Sequence, residues 1–242
     1  MAEQENIATW LTDHLASRKV WRSLRGLRNH FLRYGVVRIP RFAPTEVHRW
    51  LAHEINHLAR EHGRRRDLTI ADTGGTPRKM RCVRRDSIRA SVPRLYHAST
   101  LRTALGEIAG EEVLECPYGP EQYVITELSD PGDTHGWHWD DYSFALVWII
   151  DCPPVEDGGF VQYVPHTNWD KADPRLHAQF VENPIYSMGL KPGDVYLMRT
   201  NTTLHRAYPI STGRRLVLNM AFAARNDLSR DLGHETADQL LS

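Results

Sequence analysis

THGWHWDDYSFALVWII, residues 134–150, is the stretch of this 242-residue chain that decides its predicted fold. It follows a Pro-Gly-Asp turn and ends in an apolar run, a pattern typical of a β-strand. His138 and Asp140 are two residues apart, so on a strand both side chains project to the same face. An imidazole beside a carboxylate supplies two of the three ligands of a facial iron(II) site. The stretch therefore predicts a strand that carries two metal ligands.

A third ligand and a cofactor anchor are predicted further along the chain. His205, in GDVYLMRTNTTLHR, follows a Gly-Asp turn and a strand, and Arg215 opens the strand RLVLNMAF ten residues later. A guanidinium there can hold a carboxylate in a bidentate fork. An HxD pair alone is weak support, but the pair, the distal histidine and the arginine together form a specific pattern. The pattern predicts iron(II) on His138, Asp140 and His205, with 2-oxoglutarate on Arg215 and O2 as oxidant.

Short β-rich segments recur from residue 121 onward, separated by Gly and Pro turns, whereas the first third has helical spacing of its apolar residues. We therefore predict a mainly β fold with flanking helices, built on a double-stranded β-helix (jelly roll, cupin-like) core. The predicted strands are 122–128, 137–150, 160–165, 195–199, 204–208 and 216–222. We expect one domain over 1–242, with N-terminal helical support over 1–120, the jelly-roll core over 121–225 and a C-terminal lid or tail over 226–242.

Composition excludes several other classes of protein. Lysine plus arginine and aspartate plus glutamate both number 30, so no net charge drives the chain toward nucleic acid or membranes. Cys82, Cys116 and Cys152 lack CxxC spacing, which favours a reducing compartment over disulfides or a zinc knuckle. The N-terminus does not resemble a signal peptide, and the longest apolar run is too short to cross a bilayer. We expect a soluble cytoplasmic protein without nucleic-acid or membrane partners, and leave a homodimer open.

The stretches HGWHWDDYSFALVWII, GGFVQYVPHTNWDK and GDVYLMRTNTTLHR resemble the iron(II)/2-oxoglutarate-dependent oxygenases. Within them the chain is similar to the small lysine-type enzymes that halogenate or hydroxylate free amino acids. The resemblance covers roughly 121–230, about half the chain. The radical halogenases of that group have a small residue where this chain has Asp140, and the gap leaves room for chloride on iron. Because Asp140 fills the gap, the resemblance implies hydroxylation of an unactivated C–H bond with release of succinate and CO2.

Glu121 and Tyr123 are candidate pocket residues at the start of the first core strand. If that strand alternates from Glu121, then Glu121, Tyr123 and Ile125 share one face. A carboxylate facing into a barrel is costly without a cationic partner, and the ammonium of a basic amino acid would provide one. The resemblance implies the same role for Glu121; the alternative is an edge carboxylate in water. Tyr123 is predicted either to hydrogen-bond 2-oxoglutarate or to pack in the core.

Further substrate contacts are predicted around the metal pair. The resemblance implies that His135 and Asp141 hold the carboxylate and amine of the amino acid. Lys79 and Arg81, in a basic stretch, are predicted as a carboxylate clamp, with a solvated loop as the alternative. Asn219 shares the predicted inward face with Arg215, so it either contacts substrate or makes a core hydrogen bond.

The exact amino acid stays open. Ala221 stands where the lysine-acting enzymes are expected to carry a hydroxyl, and the C-terminal GHETADQLLS lacks the tryptophan that closes their pocket. L-Lysine is the first choice, and ornithine, arginine or a neutral amino acid are alternatives.

The same oxygenase chemistry on another small molecule or on a carrier-bound substrate stays open, and three further functions are less well supported by the sequence. HEINH at residues 53–57 matches the HExxH zinc-peptidase pattern, but an apolar stripe on the opposite side of the helix turns both histidines toward solvent. A nucleic-acid demethylase of the same superfamily would need a broad basic surface, which the composition does not provide. A cupin-like binding module without turnover would not need Arg215. The oxygenase is therefore the preferred hypothesis.

Overall fold

Residues 2–89 and 91–241 are described by the computed structural model, with helices mainly in the N-terminal half and strands mainly after them. The helices are α1 (Ala2–Ala16), α2 (Arg18–Gly26), α3 (Arg28–Tyr34), α4 (Thr45–His62), α5 (Ser91–His97), α6 (Ser99–Ala109), α7 (Leu176–Glu182) and α8 (Glu235–Leu241). The strands are β1 (Val36–Arg38), β2 (Arg64–Ile70), β3 (Thr76–Val83), β4 (Val113–Glu115), β5 (Tyr123–Leu128), β6 (Thr134–His138), β7 (Phe144–Asp151), β8 (Val161–Pro165), β9 (Tyr186–Met188), β10 (Val195–Arg199), β11 (Thr203–Ala207) and β12 (Arg215–Ala224).

The strands of the described residues form one antiparallel sheet that curls on itself. Its order is β1-β10-β7-β12-β5-β3-β6-β11-β8-β9, with β2 paired to β3 and β4 to β12. Although β7 and β8 are far apart in this order, Val147 and Val161 belong to one buried cluster, so the sheet closes around an interior. The predicted mainly β jelly roll with flanking helices is confirmed.

Strict alternation along β12 separates the interior of the roll from the helical core. Arg215, Val217 and Asn219 line the interior, whereas Leu216 and Leu218 face the helices. Each leucine fully buried in that second layer contributes about 1.5–3 kcal/mol of hydrophobic stabilisation. The inward positions of β12 can therefore carry polar side chains, because the apolar side chains on the opposite face stabilise the fold.

The segment predicted as one strand over 137–150 is two strands. Strand β6 ends at His138, and β7 begins only at Phe144. The turn between them is held by its backbone, since the amide of Asp140 donates to the Thr200 carbonyl (3.3 Å) and the amide of Thr200 donates to the Ser143 carbonyl (3.0 Å). Asp140 therefore lies in a loop beyond its strand, and the strand geometry assumed from the sequence was wrong for this residue.

The hairpin β2–β3 was also not predicted, because the region was expected to be helical support or a solvated basic stretch. Most outward positions of the hairpin are charged residues, so the alternation of buried and exposed side chains is difficult to recognise in the sequence. On β3 the positions Thr76, Arg78, Met80 and Cys82 are buried, and an arginine among them breaks the apolar pattern. The hairpin inserts between β5 and β6 in the sheet order and so becomes part of the cavity wall.

Helix α4 carries the HExxH pattern, and the structure turns it away from any metal site. Leu51 and Ile55 are fully buried on one side, whereas His53 and His57 are exposed on the other. The solvated amphipathic helix predicted for this segment agrees with that arrangement. Among the described residues, no helix is both long enough and apolar enough to cross a membrane.

Candidate active site

Three potential metal ligands converge at the mouth of the roll. His138, the last residue of β6, is paired in register with His205 on β11, and their ring centroids are 4.1 Å apart. Asp140 reaches back from the loop, with its Oδ1 3.6 Å from Nε2 of His138. One ligand atom from each of the three residues lies within 4.8 Å of the others. The structure thus brings together the three residues that the sequence singled out.

Both histidines are held in one orientation by the backbone. Nδ1 of His138 contacts the Gly136 carbonyl (2.6 Å), and Nδ1 of His205 contacts the Thr203 carbonyl (2.8 Å). A carbonyl only accepts, so each Nδ1 carries the proton and each Nε2 keeps a free lone pair. Burial lowers the pKa of both imidazoles, well below 6.5 for His138, which keeps them neutral. Two neutral imidazoles and one carboxylate are the donor set of a facial iron(II) site, so these residues fit the metal.

A first chamber extends from these ligands into the roll toward Arg215. The Arg215 side chain is buried, and within the described residues it has no carboxylate partner and no hydrogen bond to Nε. Tyr196 lies within hydrogen-bonding reach of its guanidinium, and burial raises the pKa of that phenol. Apolar residues such as Val147 and Val217 complete the wall. A buried guanidinium without a carboxylate partner among the described residues is suited to an anionic ligand.

A second chamber opens on the other side of the ligands. It is lined by Arg78, Glu121, Asp141 and one face of α8. The two chambers share Thr126, His135, His138, Asp140 and Asn219. Because the shared residues include two of the three ligands, both chambers meet at the candidate metal centre.

Arg78 is the cation of the second chamber, and the sequence analysis missed it. Its side chain is 1% exposed and donates to the hydroxyls of Thr73 (3.1 Å) and Thr76 (2.9 Å) and to backbone carbonyls. No carboxylate of the described residues forms an ion pair with it, and burial lowers its pKa to about 10. Gly136 permits the close approach of β3, because a Cβ there would lie 2.5 Å from the Pro77 carbonyl. The alternating buried positions of β3 were the signal that could have revealed Arg78.

Glu121 and Asp141 are the carboxylates of the second chamber, and their surroundings differ. Oε1 of Glu121 has no hydrogen-bond partner among the described residues, although Nδ1 of His234 is 3.7 Å away. Burial, reinforced by the charge of Asp141, raises the pKa of Glu121 well above 4.5. Asp141 is buried too, but it forms an ion pair with Lys171, whose Nζ is 2.6 Å from Oδ1.

His135 and Asn219 lie at the junction of the two chambers. The His135 ring stacks on that of His138, with centroids 3.9 Å apart and an interplanar angle of 18°. Burial, followed by the charge of Arg78, lowers the pKa of His135 well below 6.5. Oδ1 of Asn219 is buried without a hydrogen-bond partner, which leaves it open to a ligand.

Three candidate residues are corrected by the structure. Lys79 is exposed, and Arg81 binds Glu127 (3.1 Å) and the Gly63 carbonyl, so both lie on the face of β3 opposite Arg78. Tyr123 packs in the helical core against Tyr96, with ring centroids 5.3 Å apart, and does not line either chamber.

The reason for the Tyr123 error is a change of backbone geometry before β5. Glu121 ends a 3-10 turn over Gly119–Glu121, so it does not share the alternation of the strand that follows. Val124 and Thr126 take the inward positions of β5. Glu121 therefore reaches the chamber, as expected, but from a turn.

Fold and site together define an iron(II)- and 2-oxoglutarate-dependent oxygenase. The arrangement combines a curled antiparallel jelly roll, a His-Asp-His set at its mouth and a buried arginine in its interior. Enzymes of this class use iron(II), 2-oxoglutarate and O2, in agreement with the sequence prediction.

The sequence model of the Halogenase D family matches residues 20–242, and the chain belongs to this family. Its structure is similar to the α-ketoglutarate-dependent epimerase SnoN from nogalamycin biosynthesis (20% identity, TM-score 0.61, covering 84% of this chain and 83% of SnoN). It is also similar to a Pseudomonas putida prolyl-4-hydroxylase (16% identity, TM-score 0.58, 84% and 99% covered). A Trichoplax adhaerens prolyl hydroxylase has a TM-score of 0.64 at 10% identity, with 89% and 96% covered. At these identities the likeness shows the fold. No functionally curated protein matches the sequence.

Proposed function

We propose that this enzyme hydroxylates an unactivated C–H bond of a free L-amino acid, with a basic amino acid, L-lysine first, as substrate. The observation that carries the proposal is the pairing of Arg78 and Glu121 in one chamber beside the metal ligands. Arg78 is buried and forms no ion pair with a carboxylate of the described residues, and Oε1 of Glu121 is buried without a hydrogen-bond partner among them. Burying an unpaired charge is costly, so both groups favour a ligand that brings a carboxylate and an ammonium.

The proposed roles around the metal follow from the donor set. His138, Asp140 and His205 would hold iron(II), and Arg215 would bind the far carboxylate of 2-oxoglutarate in the first chamber. Bound there, iron with 2-oxoglutarate and O2 supplies an oxidant capable of attacking an unactivated C–H bond, with release of succinate and CO2. Asp140 provides the third protein ligand, which supports hydroxylation over halogenation in this member of the family.

The protein's own contribution is to orient the amino acid. Arg78 would bind its carboxylate in a bidentate fork, and Glu121 and Asp141 would receive its ammonium groups. His135 and Asn219, at the junction of the chambers, would align the reacting carbon with the metal. Once Lys171 is displaced from Asp141, the chamber offers two carboxylates, and this supports lysine, ornithine or arginine over a neutral amino acid.

The C-terminal segment would complete the chamber, within a single domain over 1–242. Thr236 and Leu240 of α8 line the second chamber. The helix is fastened by polar contacts that water can replace, such as Arg66 Nε to the Leu240 carbonyl (2.9 Å) and Thr236 Oγ1 to Asp72 (3.2 Å). A cover fastened in this way can open for substrate, which supports the predicted lid over 226–242.

The test is a mass-spectrometric screen of the free L-amino acids with iron(II), ascorbate, 2-oxoglutarate and O2. We expect a gain of one oxygen on a basic amino acid with an equal amount of succinate. Arg78→Met should remove that product, whereas Lys79→Met, which deletes the adjacent exposed cation, should retain it. Oxygen gained by a neutral amino acid would keep the iron site but contradict the role of Glu121. Absence of product across the whole panel would favour a carrier-bound, peptide or nucleotide substrate, or the non-catalytic cupin.

A further inference from the structure

Lys171, in the loop that follows β8, contacts two residues that line the second chamber, Asp141 and Trp169, and the proposed reaction has no role for it. Its Nζ lies 2.6 Å from Oδ1 of Asp141 and donates to the carbonyl of Gly233, just before α8. It also lies 4.8 Å from the centre of the Trp169 ring and 3.9 Å from a carboxylate oxygen of Glu235. The ammonium is therefore held between the chamber and the C-terminal segment.

Lys171 changes the number of carboxylates that the chamber offers to a substrate. Asp140 is assigned to the metal and Asp141 is paired with Lys171. Glu121 is then the carboxylate left for a substrate, since its Oε1 has no hydrogen-bond partner among the described residues, with Nδ1 of His234 3.7 Å away. On the cationic side, Arg78 has no carboxylate partner among the described residues. With Lys171 paired to Asp141, the chamber can bind one carboxylate and one ammonium of a ligand. A basic amino acid carries a second ammonium.

We propose that Lys171 occupies the subsite of the second ammonium and competes with a basic substrate for Asp141. This inference rests on the proposed amino-acid substrate. It names Lys171 as the residue that determines which net charge the substrate side chain carries. Two ammonium groups on one buried carboxylate repel each other, so a basic amino acid has to displace Lys171. The displaced side chain keeps partners close by, because the Gly233 carbonyl and Glu235 lie on the side of the C-terminal segment. Lys171 is thus a specificity-determining residue that acts through Asp141.

The experiment compares two ligands that differ by one ammonium. Norleucine has the carbon chain of lysine without the terminal amine. Binding of each is measured by calorimetry to protein loaded anaerobically with iron(II) and 2-oxoglutarate, so that no turnover is needed. The proteins are the wild type, Lys171→Met, Lys171→Arg and the double variant Lys171→Met/Asp141→Asn, with Lys79→Met as a control for loss of an exposed lysine.

We expect Lys171→Met to tighten lysine binding relative to norleucine by about tenfold or more, because a charge pair in a half-buried site contributes strongly. Lys171→Arg should keep the wild-type ratio, since it restores the cation. The double variant should lose the gain, because the carboxylate that lysine would use is gone. Lys79→Met should leave the ratio unchanged. Thermal unfolding of each protein verifies that it is folded, and Lys171→Gln replaces Lys171→Met if the latter is not.

A lysine-to-norleucine ratio that stays within about twofold of the wild type in Lys171→Met, or that falls, would overturn the inference. Equal weakening of both ligands would show instead that Lys171 only supports the structure of the chamber. The failure of the proposed function looks different: neither amino acid would bind to any of the proteins, although 2-oxoglutarate still binds.

Discussion

Replacement of Arg215 by methionine should separate binding of the co-substrate from stability of the fold. Methionine keeps most of the side-chain volume and removes the guanidinium, which is buried in the first chamber without a carboxylate partner among the described residues. A bidentate contact to 2-oxoglutarate consists of two charge-assisted hydrogen bonds, each contributing ~1.5–3 kcal/mol. Loss of both should weaken binding by ~3 kcal/mol or more, which is about two orders of magnitude in Kd.

The adjacent residue provides a matched control. Arg214 points to the opposite face of the sheet, where it donates to Glu127 (2.6 Å) and to Asn56 (2.6 Å). Arg214→Met therefore leaves the chamber intact but removes one of the two arginines that pair with the buried Glu127 carboxylate, the other being Arg81. We expect a loss of about 1–3 kcal/mol in the free energy of unfolding, with little change in 2-oxoglutarate affinity.

Two assays decide the outcome: anaerobic titration of 2-oxoglutarate into iron-loaded protein and denaturant unfolding of the metal-free protein. Arg215→Met should bind 2-oxoglutarate more weakly than the wild type but unfold at the same denaturant concentration. Arg214→Met should bind 2-oxoglutarate like the wild type but unfold at a lower denaturant concentration. Unchanged 2-oxoglutarate affinity in Arg215→Met would refute the assignment of the first chamber. Equal loss of affinity in both variants would show that affinity depends on the integrity of the fold.

Three further predictions concern the metal, the core and the acid limb of stability. Asp140→Ala should weaken iron(II) binding and abolish hydroxylation, and full activity of this variant would show that Asp140 is not a metal ligand. Asp140→Gly with excess chloride should yield a chlorinated product that mass spectrometry detects. Absence of that product would show that removal of the ligand alone is insufficient for halogenation. Leu218→Ala should lower the free energy of unfolding by about 2–5 kcal/mol, since Leu218 is fully buried between sheet and helices; a loss under about 1 kcal/mol would contradict that packing. Burial alone would raise the pKa of Asp133, but hydrogen bonds from Arg65 and two backbone amides lower this pKa below 3.8 in the folded protein. A carboxylate with a lowered pKa stabilises the fold at pH values above the pKa of the unfolded state. This stabilisation is lost as the pH falls through the pKa of the folded state. Asp133→Asn should therefore lower stability at neutral pH and flatten its decline below pH 3.8, and an unchanged decline in denaturant titrations would argue against it.

The convergence of His138, Asp140 and His205 could be predicted because their signals are local. The HxD pair and the histidine after a Gly-Asp turn lie in short motifs, and strand pairing then brings His138 opposite His205. Alternation also placed Arg215 and Asn219 correctly on the inner face of β12. A period of two is easy to recognise in that strand because the intervening residues are apolar.

The substrate side could not be predicted as well, because its positions depend on nonlocal register. Arg78 and Lys79 are adjacent cations, and only the pairing of Arg78 with His135 on β6 decides which one enters the chamber. A single turn before β5 reversed the expected side of Tyr123. Lys171 lies in a loop, where no periodicity assigns a direction to its side chain.

The loop position of Asp140 separates its side chain from the contacts that hold the fold together. The two histidines are constrained by cross-strand register and by their own backbone carbonyls, so changing either would disturb the sheet. Asp140 contributes to the fold chiefly through its backbone amide, which any residue except proline retains. On the proposed ligand set, a single substitution in this loop would exchange one metal ligand and leave the contacts that hold the fold in place. Under that proposal, a change between hydroxylation and halogenation would require few mutations.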